Sequence, residues 1–267
     1  MDYFWLCFSA LAAGAINTLA GGGTLLTFPT LIAVLSPDNP TLDELALAGV
    51  LANGTSTVAL MSGSVSGAWG FRREMQATRK WLVLLIGPSI IGGIVGSLLV
   101  TRLDPRYFGA LVPWLILVAA ILFAAQPLLA RLWKRPAQES ETPPSGTTVV
   151  GVVVFQFFVA VYGGYFGAGI GILMLSALGL MGIRDIHQMN ALKTVLATGI
   201  NGVAVAVFIW QGIVRWEFAL PMMVTSIVGG YLAAHYGRQL PQRLVRGFVI
   251  GIGFFVAAYF FWQQYRS

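Results

Sequence analysis

The chain has 267 residues, of which 57% are hydrophobic and only 10% are charged, and its formal net charge is +6 at pH 7. A soluble domain carries about 25% charged residues, so this composition excludes one and predicts an integral membrane protein. The single cysteine excludes a disulfide framework, and basic residues placed between apolar runs are typical of membrane orientation signals rather than of nucleic-acid binding.

Eight apolar stretches follow one another along the chain. A membrane span needs about 20 residues, and six of the stretches have this length. The first and the fifth are longer, and glycines interrupt them at residues 20–24 and 163–171. No positively charged segment precedes the first stretch, so we expect no removable signal peptide. The stretches cover roughly residues 3–35, 44–70, 81–101, 107–130, 148–182, 187–213, 217–237 and 244–263.

The two sides of a polar, proline-rich segment resemble each other. Short matches occur in the same order before and after this segment, which predicts an internal duplication. We therefore expect a first transmembrane repeat over residues 1–130, a linker over 131–147 and a second repeat over 148–267. The matching pairs are residues 20–26 with 167–173, 50–54 with 195–199, 92–93 with 229–230 and 103–106 with 240–243.

The distribution of Lys and Arg distinguishes two arrangements of the repeats. If each interrupted stretch crosses the membrane once, the two faces hold nine and seven basic residues. If each stretch turns back at its glycines, the second repeat is inverted and the faces hold twelve and four. The positive-inside rule favours the second arrangement, with a cytoplasmic linker and both termini outside.

Inverted repeats with broken helices are a known transporter architecture. The sequence thus predicts an all-α polytopic membrane protein. Each repeat would consist of a re-entrant helical hairpin followed by three spans, which gives up to ten helices.

The glycine interruptions are the candidate binding site. Non-helical backbone persists inside a membrane only where it is buried in protein or lines a polar cavity. The helices that begin at Thr24 and near Gly171 would direct free N–H groups into one region, which suits a small anion. Alternatively, these glycines serve only to bring helices close together.

Polar residues inside the apolar stretches extend this candidate site. Asn53 and Thr57 share a helix face, as do Thr194 and Thr198, because each pair is four residues apart. Lys193 is an ionisable residue within a stretch, where such residues are usually functional, although it could also extend to the membrane surface. The candidate substrate-binding residues are Asn17, Thr18, Gly21, Gly22, Gly23, Thr24, Asn53, Thr57, Gly167, Gly169, Gly171, Lys193, Thr194, Thr198 and Asn201.

Motifs of soluble and membrane enzymes are missing from the sequence. It contains no HExxH, GxSxG or Walker motif, so we expect no catalytic residue, cofactor or metal site. A cation or metal permease would need buried carboxylates or clusters of Met and His. A non-transporting scaffold or lipid-handling subunit stays open as an alternative. GxxxG patterns at Gly63/Gly67, Gly92/Gly96 and Gly247/Gly251 would permit a homodimer, or contacts within one chain.

Four segments carry a resemblance to a known family. They are residues 14–29, with Gly21-Gly22-Gly23-Thr24; residues 163–171, with glycines at positions 163, 164, 167, 169 and 171; residues 190–201, with Lys193; and residues 212–216. In these segments the chain resembles the TauE/SafE family of sulfite and organosulfonate transporters. The resemblance implies a permease of the bacterial inner membrane for small sulfur-containing anions, and it does not specify which anion.

Overall fold

A computed structural model describes residues 2–19, 22–70, 75–133, 146–180, 183, 186–236 and 242–266. Regular structure in these ranges is entirely helical, which confirms an all-α polytopic protein. Most of the linker and the predicted site residue Gly21 lie outside them, as does the side chain of Thr18. The helices are α1 (Asp2–Leu19), α2 (Thr24–Leu35), α3 (Leu42–Gly70), α4 (Met75–Arg102), α5 (Pro105–Trp133), α6 (Gly146–Tyr165), α7 (Ile170–Leu180), α8 (Ile186–Trp210), α9 (Trp216–Tyr236) and α10 (Gln242–Arg266).

Helix lengths agree with a membrane location. Six of the described helices, α3, α4, α5, α6, α8 and α10, are long and apolar enough to cross a bilayer. By contrast, α2 has 12 residues and α7 has 11. At 1.5 Å per residue they reach about 18 Å and 16 Å, well short of a hydrocarbon core of about 30 Å. Large side chains such as Phe255 and Trp210 are exposed on the outside of the bundle, as lipid contact requires.

Local signals fix the beginnings of α3 and α5. Before α3, the Thr41 hydroxyl accepts a hydrogen bond from the Glu44 N–H, and Glu44 Oε2 accepts one from the Thr41 N–H, which is a capping box. Pro105 begins α5, where its missing N–H costs nothing. Asp104 accepts a hydrogen bond from the Arg106 N–H. Both starts lie at the membrane face where α1 begins, called here the N-terminal face.

The chain reverses at both glycine interruptions. The position that a Cβ atom would occupy on Gly23 is 2.6 Å from the carbonyl oxygen of Ala13, six residues before α1 ends. If α2 continued in the direction of α1, Gly23 would lie beyond the end of α1. In the second interruption, the Tyr162 hydroxyl donates to the Ala168 carbonyl at 2.8 Å, and Ile170 lies 3.3 Å from the Cβ position of Gly163. Both leading segments are therefore helical hairpins.

The third helices of the two halves, α3 and α8, run in opposite directions. The Thr198 hydroxyl donates to the Ser64 carbonyl at 3.2 Å. Four residues later on α8, the Cβ position of Gly202 is 3.4 Å from Met61, which is earlier on α3. Advancing along one helix therefore means going back along the other.

The last helices of the halves, α5 and α10, are antiparallel as well. The rings of Trp114 and Phe261 have centroids 5.0 Å apart, whereas Ala120 lies 2.9 Å from the Cβ position of the earlier residue Gly253. Antiparallel pairing of equivalent helices is the inverted-repeat arrangement. The inversion of the second half relative to the first is confirmed, whereas the orientation in the membrane stays a prediction.

Glycines interlock the two halves by close backbone contact. The first helix of each half packs along the fourth helix of the other half, α1 on α9 and α6 on α4. In the first pair, a Cβ on Gly229 would lie 1.9 Å from the Leu11 carbonyl oxygen. In the second, a Cβ on Gly92 would lie 2.5 Å from the Phe157 carbonyl oxygen. Gly92 and Gly229 are the residues that the repeat alignment matches, so the internal symmetry extends to these contacts.

One of the predicted GxxxG patterns therefore acts within the chain. Gly92 and Gly96 both face α6. Gly247 and Gly251 have no heavy atom of a described residue within 4 Å of their Cβ positions, apart from their own helix backbone. A homodimer stays a prediction.

Candidate functional site

Both chain reversals contact the middle of α5. The Cβ position of Gly22 is 2.5 Å from the ring of Phe123, and that of Gly169 is 3.5 Å from Leu122. These two contact residues are adjacent, in the second half of the candidate span Pro105–Leu128. The rings of Phe28, on α2, and Phe166, in the second turn, have centroids 5.3 Å apart. The two turns therefore approach each other beside a membrane-spanning helix, at the same level along it.

The backbone of the second turn requires glycine at two positions. Gly167 and Gly169 have φ values of 83° and 80°, which side chains with a Cβ rarely adopt. The N–H groups of Phe166 and Gly167 both donate to the Tyr162 carbonyl. No described residue accepts a hydrogen bond from the N–H of Ala168, Gly169 or Gly171. These three N–H groups lack an acceptor among the described residues and are therefore candidate donors to a ligand.

The first turn is packed more closely. The Cβ position of Gly22 is occupied by the Phe123 ring, and that of Gly23 by the backbone of Ala13. Close helix packing is thus sufficient to explain these two glycines. The N–H groups of Gly23 and Thr24 have no acceptor among the described residues, as is usual at a helix N-terminus.

Asn53 has an unsatisfied buried oxygen beside the second turn. Its side chain is 1% exposed, and its Nδ2 donates to the Tyr165 carbonyl at 3.0 Å. Its Oδ1 is buried and has no hydrogen-bond partner. Rotating the amide by 180° would place two oxygens against each other, so the contact with Tyr165 fixes the assignment. Such an orphaned acceptor costs about 1–3 kcal/mol unless a ligand or water binds it.

Asn201 approaches the same turn from α8. Its Oδ1 lies 3.9 Å from the Cβ position of Gly167, and the residue is half-buried. Asn53 and Asn201 therefore flank the same short stretch of backbone from two antiparallel helices. Asn17 is half-buried near the end of α1, and it makes no side-chain hydrogen bond to the described residues.

Lys193 lies along the beginning of α7. Its Cδ and Cε atoms are 3.2 and 3.7 Å from the Cβ position of Gly171. Lys193 is half-buried, and it forms no ion pair with any residue that the structure describes. The N-terminus of a helix carries a partial positive charge, so two positive groups are adjacent here without a described counter-charge.

Three of the five candidate threonines bond to helix backbone. Thr57 donates to Asn53, Thr194 to Asn190, and Thr198 to both Thr194 and Ser64. These bonds use the hydroxyl protons, which leaves oxygen lone pairs but no free donor for an anion. Their predicted role in binding stays a prediction.

Sequence reasoning missed the residues that support the second turn. The Tyr162 hydroxyl donates a hydrogen bond to this turn, and the Tyr162 carbonyl accepts two from it. Gln156, six residues earlier on α6, donates to the Ser89 hydroxyl on α4 at 2.8 Å. Phe123 covers the first turn. Gln156 could have been recognised as the polar residue within the apolar run before the glycines, whereas nothing in the sequence distinguishes Phe123 from other phenylalanines.

A cavity of about 370 Å³ lies away from both turns, at the N-terminal face between α2, α3, α5 and α10. Its lining is mostly apolar and includes Asp43 and Arg106, whose side chains form a bidentate pair at 2.5 and 2.7 Å. None of the predicted site residues lines it.

A family model described as "Sulfite exporter TauE/SafE" matches residues 6–260. The chain belongs to the TauE/SafE family. Among curated relatives, a "Probable membrane transporter protein" of Haemophilus influenzae is 27% identical, covering 94% of this chain and 91% of the relative. "Probable membrane transporter protein YfcA" of Escherichia coli K12 is also 27% identical, covering 92% of this chain and 84% of the relative. No solved structure matches the chain. Family and relatives together identify a multi-pass membrane transporter.

Proposed function

We propose that the protein is a permease for a small oxyanion, sulfite or an organosulfonate, which binds between the two glycine turns. The observation that carries this proposal is the position of Lys193 beside Gly171 at the start of α7. There, a basic side chain lies beside N–H groups of the second turn that have no acceptor among the described residues. The name of the matching family, a sulfite exporter, supports the choice of anion.

The electrostatics of this position favour a negative ligand. The ammonium group of Lys193 and the N-terminal end of α7 repel each other, and a low-dielectric surrounding strengthens the repulsion. A bound anion would interact favourably with both groups and would accept hydrogen bonds from Gly169 and Gly171. Sulfite and sulfonates offer three oxygens in a compact group, which suits several donors from one turn.

The inverted halves supply a mechanism for transport. A site between two oppositely oriented hairpins can be reached from either face when one half rocks against the other. The basic residues support an orientation, because the inverted arrangement assigns eleven of the sixteen to the face of the 131–147 linker, without counting Lys193 at the site. We therefore place this linker in the cytoplasm, both termini outside, and the protein in the bacterial inner membrane.

Transport into proteoliposomes tests the proposal. Purified protein reconstituted into liposomes should take up ³⁵S-labelled sulfite, and Lys193→Ala should lower the initial rate about tenfold or more, because a charge-assisted contact contributes about 1.5–3 kcal/mol. Lys80→Ala is the matched control, since Lys80 is exposed beside Trp81 and far along the chain from both turns. Wild-type liposomes that take up neither sulfite nor a sulfonate would contradict the proposed function.

A further inference from the structure

The buried Oδ1 of Asn53 distinguishes this site from a pocket that only attracts negative charge. An anion cannot bind this atom, because a carboxamide oxygen accepts hydrogen bonds and donates none. The described protein supplies no donor for it, although the same amide donates to Tyr165. A partner for this atom would therefore be a donor from outside the described residues, such as a group of a bound ligand.

The acceptor lies close to the proposed anion site. Asn53 is held at Tyr165, and the unclaimed N–H of Ala168 is three residues farther along the same turn. Three peptide units span at most about 11 Å even when extended, and this turn is compact. This upper limit permits one small molecule to bind the N–H groups at this end of the turn with its anionic end and Asn53 with another group.

We propose that Asn53 selects anions that also carry a hydrogen-bond donor, such as a hydroxyl or ammonium group near a sulfonate, or the O–H of a singly protonated oxyanion. This inference rests on the proposed function and makes it more specific. The sulfonate oxygens bind the N–H groups of the second turn, and the donor binds Oδ1. An anion without a donor leaves Oδ1 buried and unpaired, which is the basis of strong discrimination in polar sites.

Competition between matched sulfonates tests this proposal. Uptake of labelled sulfite would be measured with unlabelled 2-hydroxyethanesulfonate, 2-methoxyethanesulfonate or ethanesulfonate as inhibitors. All three have the same charge, and only the first has a donor. We expect the hydroxyl compound to inhibit at a concentration about tenfold or more lower than that of the other two.

Two variants test whether Asn53 causes the preference for the hydroxyl compound. In Asn53→Leu the three compounds should inhibit within about twofold of one another, because the orphaned acceptor is gone. Thr30→Val, on α2, is the control and should keep the preference, since the Thr30 hydroxyl donates to the backbone carbonyl of Leu26 and the residue is not a candidate for binding. If Asn53→Leu does not fold, the comparison in the wild-type protein still decides.

Two results would overturn the inference. Equal inhibition of wild-type uptake by all three compounds would show that an ordered water, rather than the substrate, satisfies Oδ1. A preference for the hydroxyl compound that persists in a folded Asn53→Leu protein would assign it to another residue. In both cases sulfite uptake itself would still support the proposed function, whereas a complete absence of uptake would remove both.

Discussion

The contact between α1 and α9 offers a quantitative test of how the two halves interlock. Gly229 approaches α1 so closely that a Cβ would lie 1.9 Å from the Leu11 carbonyl oxygen. Ordinary contacts of this kind begin near 3.4 Å, so Gly229→Ala requires the backbones to separate by about 1.5 Å. Neither partner atom belongs to a flexible side chain, and the strain cannot be relieved by a rotamer change.

The cost of this substitution follows from overpacking. Extra methylene groups in a well-packed interior cost about 1–3 kcal/mol. For a protein of this size each kcal/mol lowers the melting temperature by about 2–4 °C, so Gly229→Ala should melt several degrees below wild type. The rate of sulfite uptake should fall as well, because the rocking of the two halves depends on the contact between α1 and α9.

The effect is measured as a change in melting temperature. A fluorescent fusion of each variant is heated in detergent, and the fraction that stays folded is quantified by size-exclusion chromatography. Gly251→Ala is the matched control, since nothing lies within 4 Å of its Cβ position and alanine favours a helix. It should melt at or above the wild-type temperature. Equal melting temperatures for Gly229→Ala and Gly251→Ala would refute the close contact of α1 with α9.

Three other features have equally direct tests. In a cysteine-free background, an impermeant thiol reagent added to intact spheroplasts should label Asp38→Cys and spare Gly146→Cys; equal labelling would contradict the orientation of the fold. A double-mutant cycle of Ser89→Ala and Gln156→Leu, measured by unfolding, should give a coupling of about 0.6–1.7 kcal/mol; a coupling near zero would show that their 2.8 Å hydrogen bond adds no stability. Gly167→Asn should retain more sulfite uptake than Gly167→Val, because asparagine tolerates a φ of 83° and a β-branched residue does not; the reverse order would show that the turn changes conformation during transport.

Charge and glycine placement were enough to predict the course of the chain. The excess of basic residues on one face required reversal at residues 20–24 and 163–171, and the contact of Gly23 with Ala13 shows that reversal directly. These signals act locally, because a glycine break or a loop charge constrains the helix next to it. Pairing of α1 with α9 could not be predicted in this way, since it depends on which surfaces meet after both halves have folded.

The site could be predicted only in outline. Lys193 and Asn53 were recognised because charged and amide groups are costly inside a membrane. Thr57 and Thr194 share the same spacing and composition, yet their hydroxyl groups bond to their own helices. Sequence spacing specifies a helix face but not the partner of a hydroxyl group. The separate role of Tyr162 follows from a turn geometry that only the three-dimensional structure contains.

The most direct test of the central claim is to locate a bound anion between the turns. Selenite has the shape and charge of sulfite, and its selenium gives an anomalous X-ray signal in crystals grown with it. We predict a single strong peak at the second turn, with selenite oxygens about 3 Å from the backbone nitrogens of Gly169 and Gly171 and beside Lys193. A peak confined to the cavity at Asp43 and Arg106, or none at a selenite concentration that saturates inhibition of sulfite uptake, would contradict the account.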